Sequence, residues 1–190
     1  MKPIIFNTSM VRAILDGRKT VTRRVVKFKD GQNPKWTGYV PDGDVLYGSN
    51  NIPAAKAPYK HGDILYVRET WGYDKNIWLY KADFSTADLD RIASITKWRP
   101  SIHMPKEAAR IFLRVTNVRV ERLQDIMDDP PGQNNQVVRE GCKYGCDFIA
   151  LWDSTIKEAE KSRYGWDANP WVWVIEFERI SEEETMKGCE

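Results

Sequence analysis

Histidine and cysteine are scarce in this sequence, and their scarcity removes several kinds of chemistry. His61 falls in a His-Gly-Asp turn, and His103 lies in a proline-bounded stretch with no Ser or Cys motif beside it. Neither reads as part of a nucleophilic triad. The three cysteines, Cys142, Cys146 and Cys189, are an odd number. They argue against a disulfide framework and for a reducing compartment. Cys142 and Cys146 look like half a zinc site, but no second cysteine pair completes the four ligands that zinc needs. No metal and no cofactor is expected. Phosphate loops, dinucleotide fingerprints and internal repeats are missing too. No apolar run approaches the ~20 residues of a membrane span. The opening Met-Lys-Pro-Ile-Ile-Phe-Asn-Thr lacks the long apolar core of a secretory signal. A cytoplasmic protein without a membrane partner is the expectation.

A strong overall charge is also lacking. The formal net charge is only +2, which excludes a bulk binder of polyanions. Its distribution says more. Residues 1–29 hold eight Lys or Arg against Asp16 alone, and residues 176–190 hold six Glu against Arg179 and Lys187. A basic end on a near-neutral chain suits a focused anion site, unless folding brings the two ends together and cancels them. What the chain has in excess is aromatic residues: eight Trp, eight Tyr and six Phe in 190 residues. Trp needs either a core or a flat ligand to stack on.

The length predicts one domain. Ile4 to Phe6 reads as a first strand. Thr8 or Ser9 is placed to cap a helix over residues 9–16, with Met10, Val11, Ile14 and Leu15 on one face. Gly17 stands where a left-handed helix cap belongs, and Thr20 to Val26 reads as a strand. Residues 28–60 have no sustained period and carry many Gly and Pro, as in a long loop or a pair of short hairpins. Further strands are predicted at Ile64–Trp71, Ile77–Lys81, Ile111–Leu123 and Trp171–Arg179. The apolar phase slips by one residue near Thr116-Asn117, which predicts a bulge or bend. Short helical segments are predicted after Ser85, at Lys106–Ala109, at Leu123–Met127, and from Asn134 or Asn135 to Glu140. A longer helix, 148–162, is predicted with Asp147 as its cap. Strands scattered among short helices give an α+β domain on a small, curved or closed sheet.

The residues with chemical potential cluster in Gly17-Arg18-Lys19-Thr20-Val21-Thr22-Arg23-Arg24. In a strict strand Lys19 and Thr22 face opposite ways, so they converge only if the chain turns near Thr20. Lys19 would then be a base toward Thr22 or a water, and Arg24 a holder of a carbonyl or anionic oxygen. The alternative is a solvated basic strand edge. Arg68-Glu69-Thr70-Trp71 is a second candidate, where Arg68, Glu69 and Trp71 would bind a planar polar ligand by pairing and stacking. A surface salt bridge beside a half-buried Trp accounts for it equally well. Glu140 on its own reads as an ordinary surface glutamate.

The Gly17–Arg24 stretch resembles the G-x-K-x-x-[T/E]-x-R signature of ASCH-domain proteins, within the PUA-like superfamily. The preceding helix, the Gly62–Val67 strand start and the closing Val172–Phe177 strand agree with that family in order. The likeness is greatest to its longer bacterial and phage members and covers most of the chain. The resemblance implies one ASCH domain over residues 1–190, a small PUA-like β-barrel ringed by short helices. Insertions would fall at about 28–60, 72–109 and 142–168. It implies an RNA or nucleoside ligand. One small bacterial branch hydrolyses the amide of cytidine acetylated on its exocyclic amine, using a lysine, a threonine three residues later and a distant glutamate. Lys19 and Thr22 match the first two, and Glu140, in Val138-Arg139-Glu140-Gly141, matches the third. Gly17, Arg24, Arg68, Glu69 and Trp71 are the ligand-binding residues on this reading. The implied function is an amidohydrolase of an acylated cytosine nucleoside or similar base. A non-catalytic RNA or modified-nucleotide reader, or an RNA-cleaving nuclease, remains open as the alternative.

Overall fold

The computed structural model describes residues 1–28, 40–42, 45–47, 53–92, 96–130, 132 and 135–187. Its strands are β1 (Lys2–Ile5), β2 (Val21–Val25), β3 (Val40–Asp42), β4 (Val45–Tyr47), β5 (Pro53–Lys56), β6 (Ile64–Arg68), β7 (Trp71–Asp74), β8 (Ile77–Tyr80), β9 (Phe112–Arg122) and β10 (Trp171–Ile180). Its α-helices are α1 (Thr8–Leu15), α2 (Thr86–Ile92), α3 (Gln136–Arg139), α4 (Gly145–Thr155), α5 (Lys161–Tyr164) and α6 (Glu182–Lys187). This is the α+β class predicted from the sequence. Five strands form a mixed sheet in the order β1-β6-β9-β10-β2. The order ends at β1 and β2, so no closed barrel is found among the described residues. No helix among them is long and apolar enough to cross a membrane. The chain divides into two compact units: Met1–Lys19, Asp63–Arg114 and Glu178–Glu190 in the first, Thr20–Gly62 and Val115–Phe177 in the second.

In the first unit, β1 pairs parallel with β6, and β6 antiparallel with β9. Helix α1 starts one residue earlier than predicted. Its cap is Asn7, not Thr8 or Ser9, because the extended Asn7 backbone lets its side-chain oxygen accept the Met10 N–H at 2.9 Å. The helix ends as the sequence predicts. Gly17 takes φ +73°, its N–H donates to the Ile14 carbonyl, and the Arg18 N–H donates to that of Ala13. That is a Schellman cap, and it needs a residue at ease in the left-handed region. Ser85 caps α2 reciprocally with Asp88, also as predicted. The hairpin β7–β8 turns on Lys75 and Asn76, both at positive φ. Trp71, Met104 and Ala108 form an apolar centre with Trp78 and Tyr80 against it.

In the second unit, β3, β4 and β5 form an antiparallel sheet, which fits the pair of short hairpins expected within residues 28–60. The rest of that stretch, 29–39, 43–44 and 48–52, lies outside the described residues. Strands β2 and β10 pair antiparallel, with Thr22 opposite Ile175 and Arg23 opposite Val174. Val21, Val172, Val174, Leu123, Ile126, Val137, Phe148 and Trp152 make the core on one face of that pair. Helix α4 departs from prediction at both ends. Its cap position is Tyr144, and Asp147 works from inside the first turn, accepting the Tyr144 N–H at 3.0 Å. It stops at Thr155, not at 162. There the Ser154 and Thr155 hydroxyls donate to the Leu151 and Trp152 carbonyls, competing with the helix ladder, and Ile156 is extended. Strand β9 runs unbroken through Thr116 and Asn117, which are both exposed. The alternation fails where the phase slip was expected.

Candidate functional site

Lys19 belongs to the first unit, directly after the α1 cap. Its backbone N–H joins that of Arg18 on the Ala13 carbonyl. Its side chain is among the largest fully buried ones, with the residue 2% exposed. The ammonium stands 5.7 Å from the centre of the Phe6 ring, within cation–π range. A buried ammonium is costly unless compensated, so this lysine is not a solvated strand edge. Gly17, expected to meet ligand, is exposed and serves as the helix cap.

In the second unit, the start of β2 is latched to the end of α3. The Thr20 N–H donates to the Arg139 carbonyl at 2.9 Å, and Arg139 Nε donates back to Thr20 Oγ1 at 3.2 Å. Asn135 caps α3 by accepting the Val137 N–H. Gly141, at φ +89°, closes it with a second Schellman cap onto Val138 and Val137. Glu140 is the residue between helix and cap, and the latch brings it to β2.

Three consecutive residues of β2 then take different roles. Thr22 is 1% exposed, and its Oγ1 accepts a hydrogen bond from Arg24 Nη1 at 2.8 Å. The bond sets positive charge against the hydroxyl oxygen. The same Arg24 nitrogen donates to the Arg23 carbonyl at 2.9 Å. Burial pulls the Arg24 pKa below its ordinary value, while Tyr59 and Glu140 push it back up. Arginine stays charged through such shifts. Arg23 points to the other face, that of Val21 and Val25. There it is 3% exposed, and its Nη1 donates to Glu140 Oε1 at 3.0 Å. Its Nη2 lies 3.4 Å from both Glu121 Oε2 and Gln136 Oε1. Glu140 is itself 3% exposed.

Comparison with family models, curated proteins and solved structures finds no match. The site is therefore read from its own chemistry.

Of the expected set, Thr22 and Arg24 are hydrogen-bonded to each other, and Glu140, bonded to Arg23 on the other face of the strand, is near enough for its charge to act on Arg24. The structure adds Arg23, Glu121 and Gln136, which the sequence reading missed. A signal for Arg23 was available: it shares strand parity with Val21 and Val25, and an arginine on a core face demands a carboxylate. Among the described residues no group of three His, Cys, Asp or Glu is placed to hold a metal ion.

Arg68, Glu69 and Trp71 lie in the first unit, each engaged within it. Arg68 donates to the carbonyls of Met104, at 2.9 Å, and Ile102. Glu69 is buried and accepts from Arg110 at 2.9 and 3.2 Å, and Arg110 is also bidentate to Asp83. Trp71 is buried between Trp78, 5.3 Å away, and the Arg99 guanidinium, 4.8 Å from its ring. Its indole N–H has no hydrogen-bond acceptor among the described residues. Burial raises the Glu69 pKa; the Arg110 hydrogen bond and charge oppose this, Asp83 adds to it, and the net direction is up.

Proposed function

We propose that this protein is an amidohydrolase that removes the acyl group from an acylated cytosine nucleoside or a similar modified base. Lys19, Thr22 and Glu140 are its reacting groups. The observation that carries the reading is burial. Seven polar or charged residues are buried among the described ones, and all three members of the set implied by the ASCH resemblance are among them. Lysine and glutamate are rarely buried without a task or a partner. The proposal extends to the fold: the mixed sheet with its short helices is read as the curved sheet of a PUA-like domain.

The chemistry follows from the residue types. Lys19 is the base, the role that the family resemblance implies for this buried amine. Thr22, or a water, supplies the oxygen that adds to the acyl carbonyl. Arg24, already on Thr22 Oγ1, favours negative charge on oxygen there. Glu140 carries the proton to the leaving amine. The C–N bond breaks and the exocyclic amine gains one proton; water, adding directly or hydrolysing a Thr22 ester, releases the acyl group as a carboxylate and a second proton.

The test is incubation of the purified protein with N4-acetylcytidine, with cytidine release followed by chromatography. Wild type is expected to turn over. Lys19→Met, which keeps an apolar stem in place, should lose about 1,000-fold in kcat. A wild-type protein that leaves the substrate intact ends the reading. If that protein instead binds single-stranded RNA in a salt-sensitive way, the non-catalytic reading takes its place.

A further inference from the structure

We infer that Arg23 is the positioning residue for the Glu140 carboxylate, an inference that rests on the amidohydrolase reading. Glu140 directly follows a four-residue helix. So short a helix has little stiffness of its own, and the side chain after it needs an outside hold. Arg23 supplies it from a sheet strand, through Nη1 on Glu140 Oε1. The guanidinium is held in turn. Its Nη2 faces Glu121 and Gln136, and its Cζ is 6.0 Å from the Phe148 ring centre. Its Nε has no acceptor among the described residues. The two terminal nitrogens of the planar fork therefore do the holding.

The pair sits in a closed circuit of alternating charge. Arg23 joins Glu140 to Glu121; Arg119 joins Glu121 to Glu176; Arg139 joins Glu176 and is the chain neighbour of Glu140. Six side chains from β2, β9, β10 and the end of α3 with the residue after it thus fix one another. Stability alone does not explain such a pair, since apolar residues of similar volume often replace a buried ion pair at no loss. Fixing the direction of one carboxylate does explain it. A lysine in place of Arg23 offers a point charge without the fork.

The experiment compares wild type, Arg23→Met, Glu140→Gln and the double variant, by kcat and KM on N4-acetylcytidine and by urea unfolding. Arg23→Met is expected to lower kcat about 100-fold, the size of a small misplacement of a reacting group, with KM little changed. The double variant should be no slower than Glu140→Gln alone. Losses that multiply, or an unchanged kcat in Arg23→Met, overturn the inference. If wild type itself is inert on the substrate, the amidohydrolase reading fails and the unfolding cycle decides Arg23. Coupled stability losses then support its hold on Glu140, and additive ones remove it. Should Arg23→Met not fold, Arg23→Lys replaces it, and a wild-type kcat there overturns the role of the fork.

Discussion

The two units each bury a carboxylate–arginine network, and the networks treat their carboxylates in opposite ways. In the first unit one arginine, Arg110, serves both Glu69 and Asp83, with Tyr80 under its guanidinium at 3.9 Å. Negative charge is in excess there, and Glu69 sits above the usual carboxylate range. In the second unit Glu176 lies between Arg119 and Arg139. Burial alone would raise it, but hydrogen bonds and charge from Arg139 and Arg119 hold it below that range. The Glu69 side chain is almost wholly removed from water, and that of Glu176 keeps 20% of its surface exposed. Burial raises Glu69 further than its one arginine lowers it, whereas at the less buried Glu176 two arginines outweigh the burial.

The comparison breaks most visibly at Arg110. Arg110→Met leaves Glu69 buried beside Asp83 with no cation, and should cost about 3 kcal/mol at pH 7 by urea unfolding. The cost should shrink toward pH 4 as Glu69 takes up a proton; a cost independent of pH would show that the pairing is not ionic. Next, Glu176→Gln should cost about 2 kcal/mol at neutral pH. The folded Glu176 is more acidic than in the unfolded chain. Its contribution is therefore present above the unfolded carboxylate pKa and lost as pH falls through the folded value. Glu69 has the opposite sign: its contribution is full below the unfolded pKa and is lost as pH rises through the raised folded one. The differences between wild type and the two Glu→Gln variants should thus slope oppositely with pH, and equal slopes would end the contrast. The smallest effect, and an uncharged baseline, is Gly17→Ala. A Cβ there meets nothing within 4 Å, so only the left-handed backbone resists it, by about 1 kcal/mol at every pH.

What was legible in the sequence is what closes over a few residues. The end of α1 at Gly17 and the end of α3 at Gly141 were visible because a Schellman cap joins residues three to five apart. The Asn135 and Ser85 caps were visible for the same reason. The misreadings were local competitions. Asn7, Thr8 and Ser9 can all cap a helix, and only backbone direction chose Asn7. Ser154 and Thr155 shortened α4 by bonding their own turn. The candidate site was legible in part. Lys19 and Thr22 stood out by their signature, and Glu140 only through family resemblance. The partners of the charged residues were not legible at all. Arg23 and Glu140 are 117 positions apart, Arg110 and Glu69 are 41 apart, and no local period links either pair.

The order of charged, apolar and turn-forming residues determined by itself that this chain makes short helices and strands with a lysine and a threonine at a fixed offset. Each of those features rests on hydrogen bonds and side-chain parity within a few residues. Tertiary structure alone decided that Glu140 answers Arg23, and that Arg68 and Glu69 look to different partners. Charges pair by distance in space, and distance in space is set only when strands from far-apart stretches of chain come into register.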